Sequence, residues 1–149
     1  MEKADPRVAL SLTCKRADEA LAFYEKAFDA KELFKMALPD GNLAHAEMSI
    51  GGVTVFLSCE APEWQAFAMP DGMMSSCLIS ITTDDCAAAF QKAVDAGASP
   101  LVEPMDQFWG ERTAVVLDPF GYRWGFGEKV EELTPEEIRQ RAGELYGNG

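Results

Sequence analysis

The stretch Phe108–Gly127, FWGERTAVVLDPFGYRWGFG, decides the fold. Thr113–Leu117 is a run of strand formers. Asp118-Pro119-Phe120-Gly121 is a turn, because Pro presets φ at the second position and Gly is tolerated at the fourth. Tyr122–Phe126 then alternates aromatic residues with small or charged ones, the period of a half-buried strand. The stretch reads as a closing hairpin that supplies one wall of a ligand cavity.

Upstream of the hairpin, Asp106–Glu111 reads as a loop and Pro100–Met105 as a short strand. Asp84–Ala96 is a helix stopped by Gly97, and Ser75–Thr82 is a strand. The first half of the chain has the same order. Arg7–Cys14 alternates as a strand. Ala17–Ala30 places Ala20, Leu21, Tyr24, Ala27 and Phe28 at helical spacing. Lys31–Leu38 is a strand, Pro39-Asp40-Gly41-Asn42 a turn, and Leu43–Ile50 a further strand. Gly51-Gly52 makes a tight hairpin into Val53–Cys59. Both halves thus read strand, helix, three strands. Glu25-Lys26-Ala27-Phe28-Asp29-Ala30 also matches Gln91-Lys92-Ala93-Val94-Asp95-Ala96 at Lys, Ala, Asp and Ala, so internal duplication is the better reading.

The fold class is therefore α+β: two tandem βαβββ modules, about 7–59 and 75–128, within a single domain of 149 residues. A helical tail over about 134–146 follows. There Thr134 caps, Pro135 sits at the first helical position, and Glu137 completes a capping box; residues 147–149 are expected to fray.

The net charge of -12 disfavours nucleic acid, whose binding rests on Lys and Arg neutralising phosphates. The acidity is compatible with a cationic ligand but more often serves solubility, which is the favoured reading. No apolar run approaches a membrane span, and the N-terminus lacks the apolar core of a signal peptide, so a cytoplasmic location without membrane contact is expected. Cys14, Cys59, Cys77 and Cys86 form no C-x-x-C pair and read as buried, reduced thiols.

A duplicated βαβββ unit ending in DPFG resembles the vicinal oxygen chelate superfamily, which includes glyoxalase I, extradiol dioxygenases and bleomycin-resistance proteins. The resemblance covers about residues 7–128. The stretches AFYEKAFDAKELFKM (22–36), PDGNLAHAEMSIGG (39–52), DQFWGER (106–112) and DPFGYRWGF (118–126) look like its PhnB-like branch. The resemblance implies sheets curled around a cavity, and a homodimer whose cavity is often built partly from the second chain. In metal-dependent members it also implies four ligands, one on the first and one on the fourth strand of each module. This chain departs from that pattern at all four places. RVALSLTC has neither His nor carboxylate, Phe56 stands where Glu is expected, SSCLISIT offers Ser and Cys, and Gly125 takes the usual acid position. With a single His in the chain, a two-His, two-carboxylate centre cannot form within one protomer. No cofactor is expected, with an unusual divalent metal left open.

Alternation along the strands sends Ala44, Ala46, Met48 and Ile50 to a helix and His45, Glu47 and Ser49 to the cavity. Thr54, Phe56 and Ser58 share one face of the next strand. Trp124 and Phe126 face a helix, and Arg123 and Gly125 face the cavity. His45 as acid or base, Glu47 orienting it and Arg123 holding an anion would form a proton-transfer set. The competing reading is a solvated His45 with Glu47 and Arg123 as a structural ion pair. Thr54, Phe56, Trp109, Arg112 and Arg123 are the candidate ligand-binding residues. Arg112 also reads as a loop-holding partner of Asp118 or Asp106. Trp109 and Phe108 read as a lid or a dimer contact, and Trp64, Phe67, Met69, Met73 and Met74 as an apolar ligand surface or dimer packing.

Three functional classes follow. One is a binding protein that sequesters a small molecule without a metal. Another is a lyase or isomerase acting on a small anionic metabolite through His45. The last is a scaffold with no ligand.

Overall fold

The computed structural model describes residues 1–147. The chain divides into two compact units, one through Pro70 and the other from Asp71. The first holds β1 (Leu10–Thr13), α1 (Ala17–Phe28), β2 (Lys31–Ala37), β3 (Leu43–Ile50) and β4 (Val53–Ser58). Its sheet runs β1-β4-β3-β2, with β1 parallel to β4 and the other pairs antiparallel. The second holds β5 (Leu78–Thr82), α2 (Cys86–Ala96), β6 (Ser99–Asp106), β7 (Glu111–Leu117), β8 (Arg123–Lys129) and α3 (Pro135–Tyr146). Its sheet runs β5-β8-β7-β6 with the same pattern of directions. Each is a four-stranded curled sheet with its own helix, and the duplicated order is as the sequence reads. No described helix is long and apolar enough to cross a membrane.

The burial pattern repeats as well. Ala20, Tyr24 and Ala27 are the buried stripe of α1, and Cys86, Phe90 and Ala93 that of α2. Under α1 lie Ala46 and Met48 of β3 with Val55 and Leu57 of β4; under α2 lie Ala114 and Val116 of β7 with Trp124 and Phe126 of β8. Helices therefore cover one face of each sheet, and the other face carries half-buried or exposed side chains. That is the alternation expected of strands buried on one side.

The helices begin differently. Asp85 caps α2 by accepting from Ala88 N. Arg16 gives α1 no such cap. Instead Asn42, buried in the β2–β3 turn, accepts from Ala17 N (2.9 Å) and donates to Lys15 O (2.8 Å). A turn side chain thus closes the helix start. At the other end Asp29 adopts the left-handed conformation (φ 54°), so α1 stops at Phe28 and not at Ala30.

The DPFG turn is held by Asp118, which is 3% exposed. Its Oδ1 accepts from Phe120 N (2.8 Å) and Tyr122 N (2.9 Å), and its Oδ2 from Trp124 Nε1 (2.9 Å). Gly121 supplies the positive φ of 92° that the turn requires. The carboxylate therefore fastens the turn to the largest fully buried side chain of the unit.

Several boundaries differ from the sequence reading. β1 begins at Leu10, and residues 1–9 are exposed coil. β5 begins at Leu78, because the carbonyls of Ser75 and Ser76 accept from the Arg123 guanidinium (both 2.8 Å). β6 reaches Asp106 and β7 starts at Glu111, so the loop expected at 106–111 is a short turn. β8 continues to Lys129. β2, on a sheet edge away from α1, is exposed at every position, Leu33, Phe34 and Met36 included. Of the cysteines only Cys14 and Cys86 are buried; Cys59 is intermediate and Cys77 exposed. The capping box of α3 is present at Thr134 and Glu137. Apart from Gly147, the fraying expected at 147–149 lies outside the described residues.

Candidate functional site

In the first unit, β3 directs His45 and Glu47 away from α1. Register sets Glu47 beside Phe56 of β4 and Phe34 of β2, with Ser49 beside Thr54. His45 Nε2 lies 3.2 Å from Glu47 Oε1. The two side chains bridge the roughly 7 Å between successive positions on one strand face. The ring of His45 lies between Phe34 and Phe56, with centroids at 6.3 and 5.5 Å. The side chains of His45 and Glu47 keep 33% and 38% exposure, so both stay open to solvent or to a ligand.

In the second unit, the face of β5, β7 and β8 opposite α2 contains a hollow of about 370 Å³, lined by Leu78, Ser80, Trp109, Glu111, Gly125 and Gly127 among others. Its depth follows from sequence. Gly125 and Gly127 are successive positions on one face of β8, and neither places a side chain there. Trp109 forms a wall, and its Nε1 donates to Glu111 Oε2 (2.6 Å). The Trp109 turn is tied down from behind. Phe108 stands edge-on to both Trp109 (5.0 Å) and Tyr146 of α3 (5.9 Å), and Arg141 of α3 donates to Phe108 O (3.2 Å). Gly110 O accepts from Val130 and Glu131 N. The C-terminal helix thus docks within its own unit, behind the turn that carries Trp109.

The remaining sequence candidates have other contacts. Arg112 pairs with Asp106 through Nε–Oδ1 (2.7 Å) and Nη2–Oδ2 (3.3 Å). The guanidinium holds the Asp106 carboxyl below the usual carboxylate range. This is one of the two loop-holding partners expected. Arg123 shares the strand face of Gly125, but its guanidinium binds the Ser75 and Ser76 carbonyls. His45, Glu47, Thr54 and Phe56 belong to the first unit; Trp109, Arg112 and Arg123 belong to the second.

The four positions from which the resemblance implies metal ligands do not fit such a centre. On parallel β1–β4, Ser11 is the direct partner of Phe56; on parallel β5–β8, Ser80 is the direct partner of Gly125. A divalent ion would meet a hydroxyl and a phenyl ring at the first pair and a hydroxyl and a hydrogen at the second, where imidazole or carboxylate is needed. A Cβ at Gly125 would already lie 3.3 Å from Ser80 Oγ and 3.5 Å from Leu78. Among the described residues no three His, Cys, Asp or Glu side chains cluster as a metal site.

The sequence reading did not name Glu111, Ser80 and Gly127 as site residues. Continuing the β7 alternation from Thr113 back to Glu111 would have found the first.

Two sheets of this topology, each with its helix on one face and open strands on the other, define a glyoxalase-type fold. The model of the Glyoxalase/Bleomycin resistance protein/Dioxygenase superfamily matches residues 7–126, and the chain belongs to that family. An uncharacterized protein of Mycobacterium bovis is 38% identical over 148 residues, covering 97% of each chain. TioX from Micromonospora sp. ML1 superposes with a TM-score of 0.67 at 20% identity, covering 84% of this chain and 99% of that one. The fosfomycin resistance protein FosX from Listeria monocytogenes, complexed with Mn(II) and sulfate, superposes with a TM-score of 0.65 at 13% identity, covering 94% and 99%. These two structures are similar in fold.

Proposed function

We propose that this chain binds a small molecule in a cavity on an open sheet face and does so without the four-ligand metal centre of its metal-dependent relatives. The observation that carries this reading is the hollow of the second unit: about 370 Å³, with Ser80 and Gly125 on the very strands from which metal ligands would come. Those positions carry neither imidazole nor carboxylate, and the room lies toward Gly127, where an added Cβ would meet nothing nearer than 3.9 Å. A volume of that order suits a drug-sized ligand or part of one. FosX from Listeria was crystallised with Mn(II); a relative lacking donors keeps the fold and the room but not that chemistry. The stretches 22–36, 39–52, 106–112 and 118–126 support membership of the PhnB-like branch.

The reading includes a homodimer and a cytoplasmic location. The apolar edge residues Leu33, Phe34 and Met36, and Trp64 at 81% exposure, are the kind of surface a second copy would cover. Exposed Cys77 suits a reducing compartment.

The test is a thermal-shift screen of a fragment library against the wild type and Gly127→Val. A ligand at one hundred times its Kd stabilises by about 2.7 kcal/mol, or roughly 5–10 °C for a chain of this size. Binders of the wild type should lose their shift in Gly127→Val, whose side chain fills the hollow. If every shift survives that substitution, the hollow is not the site.

A second reading rests on the His45–Glu47 contact of 3.2 Å. A carboxylate on Nε2 leaves Nδ1 to act as acid or base, and Phe34 and Phe56 flank the ring. The activity would be that of a lyase or isomerase on a small metabolite. His45→Ala would abolish turnover under this reading and leave affinity in the hollow unchanged under the first.

A further inference from the structure

We infer that the hollow of the second unit takes a flat aromatic cation, seated on the β8 floor at Gly127 with an N–H edge against Glu111 Oε1. The inference rests on the small-molecule reading above and names the chemical class that this site would select.

The floor sets the shape. Gly125 is flanked by Ser80 of β5 and Val115 of β7, and Gly127 by Thr82 and Thr113. Residues two apart on a strand are about 7 Å apart, and neighbouring strands about 4.8 Å. Ser80 and Leu78 cover the Gly125 end of that spacing, so the bare peptide surface lies at Gly127 and favours a flat ring. Side chains crowd only one end. A Cβ on Gly125 would lie 3.3 Å from Ser80 Oγ, whereas a Cβ on Gly127 would meet nothing nearer than Glu111 Oε1 at 3.9 Å. Trp109 walls the open end.

The wall sets the charge. Glu111 is the one formally charged side chain lining the hollow among the described residues. Its Oε2 is occupied by Trp109 Nε1. Its Oε1 has no hydrogen-bond partner among the described residues and is the atom nearest the floor at Gly127. Neighbouring cations are committed elsewhere. Lys129 stands opposite Glu111 in register, but its Nζ binds Glu132 at 3.2 Å, and Arg112 binds Asp106. An unneutralised carboxylate beside an indole favours a cation that can donate to the oxygen and lie against the ring. An anion of the same shape would meet like charge.

Three tricyclic probes of similar size separate the possibilities at pH 8 and physiological salt: proflavine as the cation, acridine as the neutral ring and anthracene-9-carboxylate as the anion. Dissociation constants are read by fluorescence. Proflavine is expected to bind at least tenfold more tightly than either of the others. Glu111→Gln, which keeps an acceptor for Trp109, should remove that preference. Gly127→Val, which adds no backbone clash, should weaken proflavine at least tenfold. Glu136→Gln removes the same charge from the exposed start of α3 and should change nothing, which separates the site from the general attraction of an acidic protein. Equal binding of all three probes, all lost in Gly127→Val, would overturn the cation class and leave the small-molecule reading standing. Proflavine binding that ignores both Glu111→Gln and Gly127→Val, or no proflavine binding at all, would overturn the inference, while the fragment screen decides the broader reading independently.

Discussion

Asp118 offers a perturbation whose size can be worked from the structure. Its carboxylate satisfies three donors: the backbone N–H groups of Phe120 and Tyr122 and the indole N–H of Trp124. Trp124 is fully buried, so removing its partner leaves a donor with no access to water, which costs about 2–3 kcal/mol. The two backbone donors are half-buried and can recover part of their bonding from solvent, at about 1 kcal/mol each. Asp118→Ala should therefore lose about 4 kcal/mol, a large share of the 5–15 kcal/mol typical of a folded domain. Asp118→Asn should lose less, about 2 kcal/mol. Its amide oxygen can keep the two backbone bonds, but its NH₂ then faces the indole N–H, donor against donor. Urea unfolding followed by tryptophan fluorescence measures both. With a slope of about 2 kcal/mol per molar, the alanine variant should shift the midpoint by roughly 2 M. A loss under about 1 kcal/mol for Asp118→Ala would refute the assignment of this carboxylate as the fastener of the turn. Equal losses for the two variants would refute the separate contribution of Trp124.

Three further outcomes can be checked. Gly110→Ala places a Cβ 3.0 Å from Glu131 O and 3.2 Å from Leu133 Cδ1 at φ +92°, so it should destabilise by at least 1–3 kcal/mol in thermal or urea unfolding; it should also alter Trp109 fluorescence, since the same turn carries the indole. Arg141 holds the Glu131 carboxyl below its ordinary value by hydrogen bonding. A depressed carboxylate contributes stability that is present above its unfolded pKa and lost as pH falls through the folded one. The stability gap between wild type and Arg141→Ala should therefore narrow on acidification below the usual Glu range, and an NMR titration should show the Glu131 pKa rising in the variant. Among the thiols, Cys77 should react first with a disulfide reagent, and Cys86 only on unfolding, because burial and the nearby Glu128 carboxylate push its thiol up.

What the sequence made legible was whatever has a period. The two-residue alternation of Ala46, Met48 and Ile50 against His45, Glu47 and Ser49 is the alternation of burial on β3. The α1 stripe is likewise buried where the helical spacing puts it. DPFG reads as a turn because Pro119 and Gly121 each serve one turn position. The hollow was half legible. Gly125 was placed on the cavity face and read as a missing ligand, but the absence of a side chain carries no positive signal that space lies there. Glu111 was hidden by assigning 106–111 to a loop: charged and aromatic residues around Gly110 look irregular, yet the turn is short and the β7 ladder begins at Glu111. Arg123 looked available to an anion because a strand pattern cannot show that backbone carbonyls from Ser75 and Ser76 reach its guanidinium. The His45–Glu47 contact depends on side-chain rotamers, which spacing does not encode.

The most direct test of a binding protein without the family's metal centre is a calorimetric titration of the metal-free chain with Mn(II), Ni(II) and Zn(II). The residues at the ligand positions are Ser11 with Phe56 and Ser80 with Gly125, so no saturable, stoichiometric heat is expected and the melting temperature should not move. A one-to-one binding isotherm, abolished by His45→Ala and accompanied by a clear thermal shift, would contradict the account. It would make His45 and Glu47 metal ligands and bring the catalytic reading forward.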